Sequence, residues 1–109
     1  MLHNVKMRVV QTAKNGIVNK DTIFHFSQSG NGVSAHYSGG SITQGYLVGQ
    51  LEGELLRFSY CQIRSSGELD HGKSNCVLSR EAGKLQLEEQ FTMTTGQSLE
   101  KGRNMFREL

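Results

Sequence analysis

The stretch Lys84-Leu85-Gln86-Leu87-Glu88-Glu89-Gln90-Phe91-Thr92-Met93-Thr94-Thr95 decides the fold. Leu85, Leu87, Phe91 and Met93 fall on one parity of this run, and polar residues fill the other. Period two is the repeat of a half-buried β-strand, because successive side chains of a pleated chain point to opposite faces. Ala82-Gly83 precedes the run and Thr95-Gly96-Gln97 follows it, and both are turn signals. The run therefore reads as a strand between two tight turns. Between Leu85 and Met93, Glu89 breaks the apolar series.

The same pattern extends outward in both directions. Further turn signals stand at Asn15-Gly16, Gly30-Asn31-Gly32, Gly39-Gly40, Glu52-Gly53-Glu54 and Ser66-Gly67-Glu68. They delimit eight strands near 5–12, 18–28, 33–38, 42–51, 55–65, 69–80, 85–94 and 98–108. No stretch sustains a capped helical periodicity. Loops this short join only antiparallel neighbours, so the expected fold is an all-β, eight-stranded antiparallel meander. Closing the meander removes its two unpaired edges. The reading is a single domain over 1–109, a closed small barrel of the lipocalin or avidin sort. The alternative is an open, bent sheet that dimerises through an edge.

Composition sets limits on function. The 109 residues carry 12 Lys and Arg against 10 Asp and Glu, a net charge of +2, with no basic run. That balance argues against a nucleic-acid partner. No apolar stretch approaches a membrane span. The N-terminus MLHNVKMRVV lacks the apolar core of a signal peptide, and two Cys do not form a disulfide framework. The expected setting is the cytoplasm, with free thiols.

A short repeat runs through the hairpins. Ser41-Ile42-Thr43-Gln44-Gly45, Glu68-Leu69-Asp70-His71-Gly72 and Ser98-Leu99-Glu100-Lys101-Gly102 share one pattern, and Gly16-Ile17-Val18-Asn19-Lys20 follows it except at its end. A glycine at the same place in successive strands predicts a bend or bulge.

Register follows from the turns. A two-residue turn at Asn15-Gly16 sets Met7 opposite Phe24, and Gly30-Asn31 sets Phe24 opposite Tyr37. A three-residue Ser66-Gly67-Glu68 loop sets Tyr60 opposite Ser74, Phe58 opposite Cys76 and Leu56 opposite Leu78. Ala82-Gly83 sets Cys76 opposite Glu89, and a turn near Gly96-Gln97 brings Asn104 to its other side. One face then collects the Phe, Leu, Val and Met side chains and forms the interior. The other carries Lys6, Arg8, Arg57, Arg64, Lys73, Glu88, Gln90 and Arg103 toward water.

The inward face also takes in Tyr37, Tyr60, Ser74, Glu89, Asn104 and, if the last strand keeps phase, Glu108. An inward carboxylate is expensive unless it is hydrogen-bonded or paired, so these six residues are the candidate ligand-binding residues. A structural network and a wet barrel mouth are the other two readings of Glu89.

Other motifs carry little. His25 and His36 face each other across two strands on the outer face, but their expected neighbours Lys6 and Gln44 supply no third metal ligand. Cys61 and Cys76 fall on adjacent strands but opposite faces, so no bridge is expected. Gly72-Lys73-Ser74-Asn75-Cys76 lacks the strand-to-helix setting of a nucleophile elbow. No cofactor or metal, and no catalytic residue, is assigned.

Thr22 through Gly30, Tyr37 through Ile42 with Gly45, Tyr60, Gly67-Glu68-Leu69 and Gly72-Lys73-Ser74 form a specific series. Glu89, Phe91, Met93 through Gly96, Lys101-Gly102 and Glu108-Leu109 complete it. In order and spacing the series resembles a family of small bacterial proteins of about this length that bears the inherited name "N-acetylglutamate synthase". The family usually has an aromatic residue where this chain has Met93. The resemblance implies an acyltransferase. The phosphate-holding loop of common acetyltransferases is approached only by Gln50-Leu51-Glu52-Gly53-Glu54-Leu55 and Arg64-Ser65-Ser66-Gly67-Glu68-Leu69, and both lack its last small residue. The residues themselves favour a non-enzymatic protein that binds a small-molecule ligand in or at the mouth of the barrel. The enzyme and a non-catalytic interaction module, such as a homodimer, are the alternatives.

Overall fold

The structure is a computed structural model that describes residues 1–14 and 16–109. Eight strands follow in order: β1 (Lys6–Thr12), β2 (Ile23–Ser29), β3 (Gly32–Gly39), β4 (Ile42–Glu52), β5 (Leu55–Arg64), β6 (Leu69–Glu81), β7 (Lys84–Thr95) and β8 (Ser98–Glu108). Each pairs antiparallel with the next, and β1 returns to β8 through Met7 opposite Glu108, which closes the barrel. Closure excludes the open-sheet alternative, because β1 and β8, the two terminal strands of the meander, pair with each other.

The expected register holds at most turns. Met7 faces Phe24, Phe24 faces Tyr37, and Cys76 faces Glu89, which in turn faces Asn104. The β7 run quoted above has the burial alternation its sequence dictates, with Leu85, Leu87, Glu89, Phe91 and Met93 buried. Inside, Phe24 stacks on Tyr37 with ring centroids 4.2 Å apart and meets Phe106 edge-on at 4.6 Å. Such aromatic pairs are stabilised beyond their buried area. At the end bearing the β2–β3 turn, the N-terminal segment buries Leu2 completely, and the Leu2 N–H donates to Gln28 Oε1 at 2.8 Å.

Three expectations are corrected. First, Asn15 of the expected Asn15-Gly16 turn lies outside the described residues, and β2 begins at Ile23 rather than near 18. Pairing of β1 with β2 stops at Arg8 opposite Ile23. Local side-chain bonds take residues 19–22 out of the ladder. The Asn19 N–H donates to Thr22 Oγ1, the Asp21 N–H to Asn19 Oδ1, and the Thr22 hydroxyl to the Gly39 carbonyl. Short polar side chains compete in this way with strand pairing.

Second, the β5–β6 loop has three residues but sits one position earlier, at Ser65-Ser66-Gly67. The Arg64 N–H donates to the Glu68 carbonyl at 2.9 Å. Gly67, at φ 92°, closes the loop, because a three-residue hairpin wants its left-handed residue last. Tyr60 therefore faces Gly72, Phe58 faces Ser74, and Leu56 faces Cys76. A slide of two residues keeps every side chain on its face, so the interior survives the error. Between β3 and β4 the turn pairs Gly39 with Ile42 and a bulge in β4 then adds one residue, so His36 faces Tyr46 instead of Gln44.

Third, the repeated glycines are seats for aromatic rings. Gly45, Gly72 and Gly102 face Tyr37, Tyr60 and Phe91 across their strand pairs. A Cβ on Gly72 would stand 2.7 Å from Tyr60 Cζ, one on Gly102 2.5 Å from Phe91 Cζ, and one on Gly45 inside the Tyr37 ring. Only the first of the three lies beside a bulge, between Ile42 and Gln44. Glycine in a strand here marks close approach.

Candidate functional site

The site lies inside the barrel, toward the end that carries the β1–β2, β3–β4, β5–β6 and β7–β8 connections. A cavity of about 30 Å³ remains there among Phe24, Tyr37, Phe58, Tyr60, Phe91 and Phe106, with Glu89 and Asn104 on its wall. Ile17 and Val18 of the β1–β2 connection cover it, and Gln62 and Met93 complete the lining. Val18 is buried and Ile17 half-buried, so residues 17–22 form a strap across the mouth. A space of this size holds about two water-sized groups.

Glu89 is buried. The Ser74 hydroxyl donates to its Oε2 at 2.6 Å and the Asn104 amide to its Oε1 at 2.8 Å. The Thr12 hydroxyl donates to Asn104 Oδ1 at 2.7 Å, which fixes the amide's orientation. Burial pushes the Glu89 carboxyl above its ordinary pKa, and the two hydrogen bonds offset only part of that. The wet-mouth reading of Glu89 is therefore excluded. Burial likewise raises the Tyr37 and Tyr60 hydroxyls and the Cys76 thiol.

A second network closes the rim. Tyr37 donates to Gln62 Oε1 at 2.8 Å, and Gln62 Nε2 donates to Asp70 Oδ2 at 2.9 Å. Asp70 is fully buried and accepts from Arg64 Nε and a terminal Arg64 nitrogen, each at 2.9 Å, and from the Thr95 hydroxyl. Burial alone would raise the Asp70 pKa; the bonds from Arg64, Gln62 and Thr95 outweigh it and hold the carboxyl below its usual range. Arg64, expected to point into water, instead folds back over the rim to neutralise Asp70.

Of the six candidate residues, Tyr37, Tyr60, Glu89 and Asn104 line one cavity, and Ser74 touches it through Glu89. Glu108 keeps phase but stands at the opposite end, where it accepts the Leu85 N–H at 2.9 Å. Gln62 and Asp70 were missed. Their signal was the alternation itself, carried one step past Tyr60 and one step past Gly72. Cys61 is exposed and Cys76 buried, both free. His25 and His36 stack on the outer face with centroids 4.7 Å apart, and no metal-ligand cluster occurs among the described residues.

Known proteins bear on this geometry. The crystal structure of apo shwanavidin (P1 form) superposes with a TM-score of 0.65 at 10% sequence identity, over 100% of this chain and 97% of that one. No curated protein matches the sequence. The model of the avidin-like protein family matches residues 1–109, so the chain belongs to that family.

Proposed function

We propose that the protein binds a small ligand in the barrel interior, beneath the strap 17–22, with Glu89 as its polar anchor. The observation that carries this reading is the buried Glu89 carboxyl beside an unfilled space. A carboxyl serving packing alone would be surrounded without a gap, since interiors are close-packed and a desolvated acid is costly. Family membership supports it, as eight-stranded barrels are of a size to hold one small ligand. The ligand enters where Ile17 and Val18 lift. A thermal-shift screen of small metabolites tests the reading. The expected hit stabilises the wild type and fails to stabilise Glu89→Gln. Hits that stabilise both proteins equally would overturn Glu89 as the anchor.

Coenzyme A belongs in the same screen, because acyl transfer is what the inherited family name implies. In support of that alternative stands only the resemblance. The string from Gln50 to Leu55 lies in the β4–β5 hairpin, and Arg64 of the other string is engaged with Asp70.

We propose also that two copies pair through the outer face of β4–β6. Barrel closure pairs the two terminal strands with each other, and Tyr46, Val48, Ile63 and Leu69 are exposed on these three adjacent strands. Sedimentation velocity at micromolar concentration should show a dimer. A monomer that persists across that range would remove the homodimer.

A further inference from the structure

We infer that the cavity beside Glu89 takes the head of a primary alkylammonium ion, so that the ligand is an organic cation. This deepens the ligand-binding reading and rests on it. Charge argues against an anion. Both donors on Glu89, Ser74 and Asn104, are neutral. The other interior carboxylate, Asp70, is already matched by Arg64. The remaining titratable groups that face Glu89 are the Tyr37 and Tyr60 hydroxyls and the Cys76 thiol, which are neutral or become anionic. An anion entering this space would meet carboxyls and no free cation among the described residues. A cation would complete the pairing of Glu89.

The walls favour the same charge. Phe24, Phe58, Tyr60, Phe91 and Phe106 enclose the space, and aromatic faces attract cations most strongly when water is excluded. The Tyr60 hydroxyl has no hydrogen-bond partner among the described residues, and so is available to accept an ammonium N–H. Size then chooses among cations. A space of about 30 Å³ favours a slim head of two heavy atoms, one methylene and one nitrogen, over the bulkier trimethylammonium group. The rest of the molecule leaves past Ile17 and Val18. Entry of the cation favours ionised Glu89, so binding below the carboxyl's raised pKa releases a proton, and affinity rises with pH.

The test is an NMR titration of the full chain at constant ionic strength, following the signals of Tyr60, Phe91 and Met93. The probes are n-propylammonium chloride, its neutral isostere propan-1-ol, and tetramethylammonium chloride. The inference expects propylammonium to bind at least tenfold more tightly than propanol. It expects tetramethylammonium to leave the signals in place, and Glu89→Gln to bring the first two probes within about twofold of each other. Nα-acetyl-lysine amide, whose ε-ammonium is free, presents the same head on a peptide unit. Whichever of it and propylammonium binds more tightly identifies a lysyl side chain or a free amine as the source, and either order supports the inference. Equal binding of propylammonium and propanol by the wild type would overturn the cation while leaving the pocket intact; this comparison needs no variant to fold. Tetramethylammonium binding as well as propylammonium would overturn the primary-amine head. No shift of the three residues by any probe would overturn both the inference and the pocket beneath it.

Discussion

Gly72 faces Tyr60 across the β5–β6 pair, and the phenol ring lies where a side chain on residue 72 would begin, 2.7 Å from the position of a Cβ. The Thr92 carbonyl stands against the same position. Gly102 is crowded by the far edge of the Phe91 ring and, at 3.0 Å, by Ala13 Cβ. A ring edge can yield more readily than a backbone carbonyl in a closed ladder. Gly72→Ala should therefore cost about 1–3 kcal/mol, and more than Gly102→Ala. Urea denaturation of both variants checks the order, and equal costs would contradict it.

Arg64 is the counterion of a fully buried carboxylate. Its removal leaves Asp70 charged and unmatched, so Arg64→Ala should cost about 3–5 kcal/mol at neutral pH. Arg64→Lys should recover only part, because a lysine cannot give Asp70 the two parallel bonds of a guanidinium. Chemical denaturation at pH 7 measures both. Asp70 has a lowered folded pKa, so its stabilisation is complete above the unfolded carboxyl value. It is lost as pH falls through the folded one. Arg64→Ala should weaken this loss of stability toward acid.

Glu89 has the opposite sign. Its folded pKa is raised, so its contribution is complete below the unfolded value of about 4.3 and is lost as pH rises through the folded value. Between those two values stability should fall by up to about 1.4 kcal/mol per pH unit from this group. In Glu89→Gln the amide oxygen can accept from Asn104 and the amide nitrogen can donate to the Ser74 hydroxyl. The variant should fold, and its melting temperature should lack this decline. Thermal melts across pH 4 to 8 compare the two proteins. A decline of the same steepness in Glu89→Gln would assign the dependence to another group.

How much of this was legible in the sequence depends on what each residue's partner was. Period-two alternation placed Glu89 inside because strand geometry alone decides it. The Ala82-Gly83 and Gly30-Asn31 turns set their registers because two-residue turns leave little freedom. The β5–β6 register slipped because a three-residue loop turns on which residue takes the left-handed conformation, and the sequence offered Gly67 without saying where in the loop it belonged. The strap was not legible. The residues from Val18 onward read as a strand, and Asn19 and Thr22, bonded to each other and to the β3–β4 turn, draw the segment over the mouth instead. Outward parity sends Arg64 to water and says nothing of a side chain long enough to fold back onto Asp70.

The thiols report the two faces of one hairpin. Cys61 is exposed on β5, while Cys76 is buried on β6 with its pKa pushed up by burial and by Glu89. A thiol reagent should label one cysteine rapidly in the folded protein and the second only on unfolding. Peptide mapping of the first label should find it on Cys61; label on Cys76 would invert the strand phase.

The central claim is that the space beside Glu89 is a ligand site. Native mass spectrometry of the protein purified gently from its own cells tests it most directly. The account predicts one small-molecule adduct per chain on the wild type, absent from Glu89→Gln prepared in the same way. A wild type that carries no adduct, or an adduct of equal occupancy on both proteins, would contradict it.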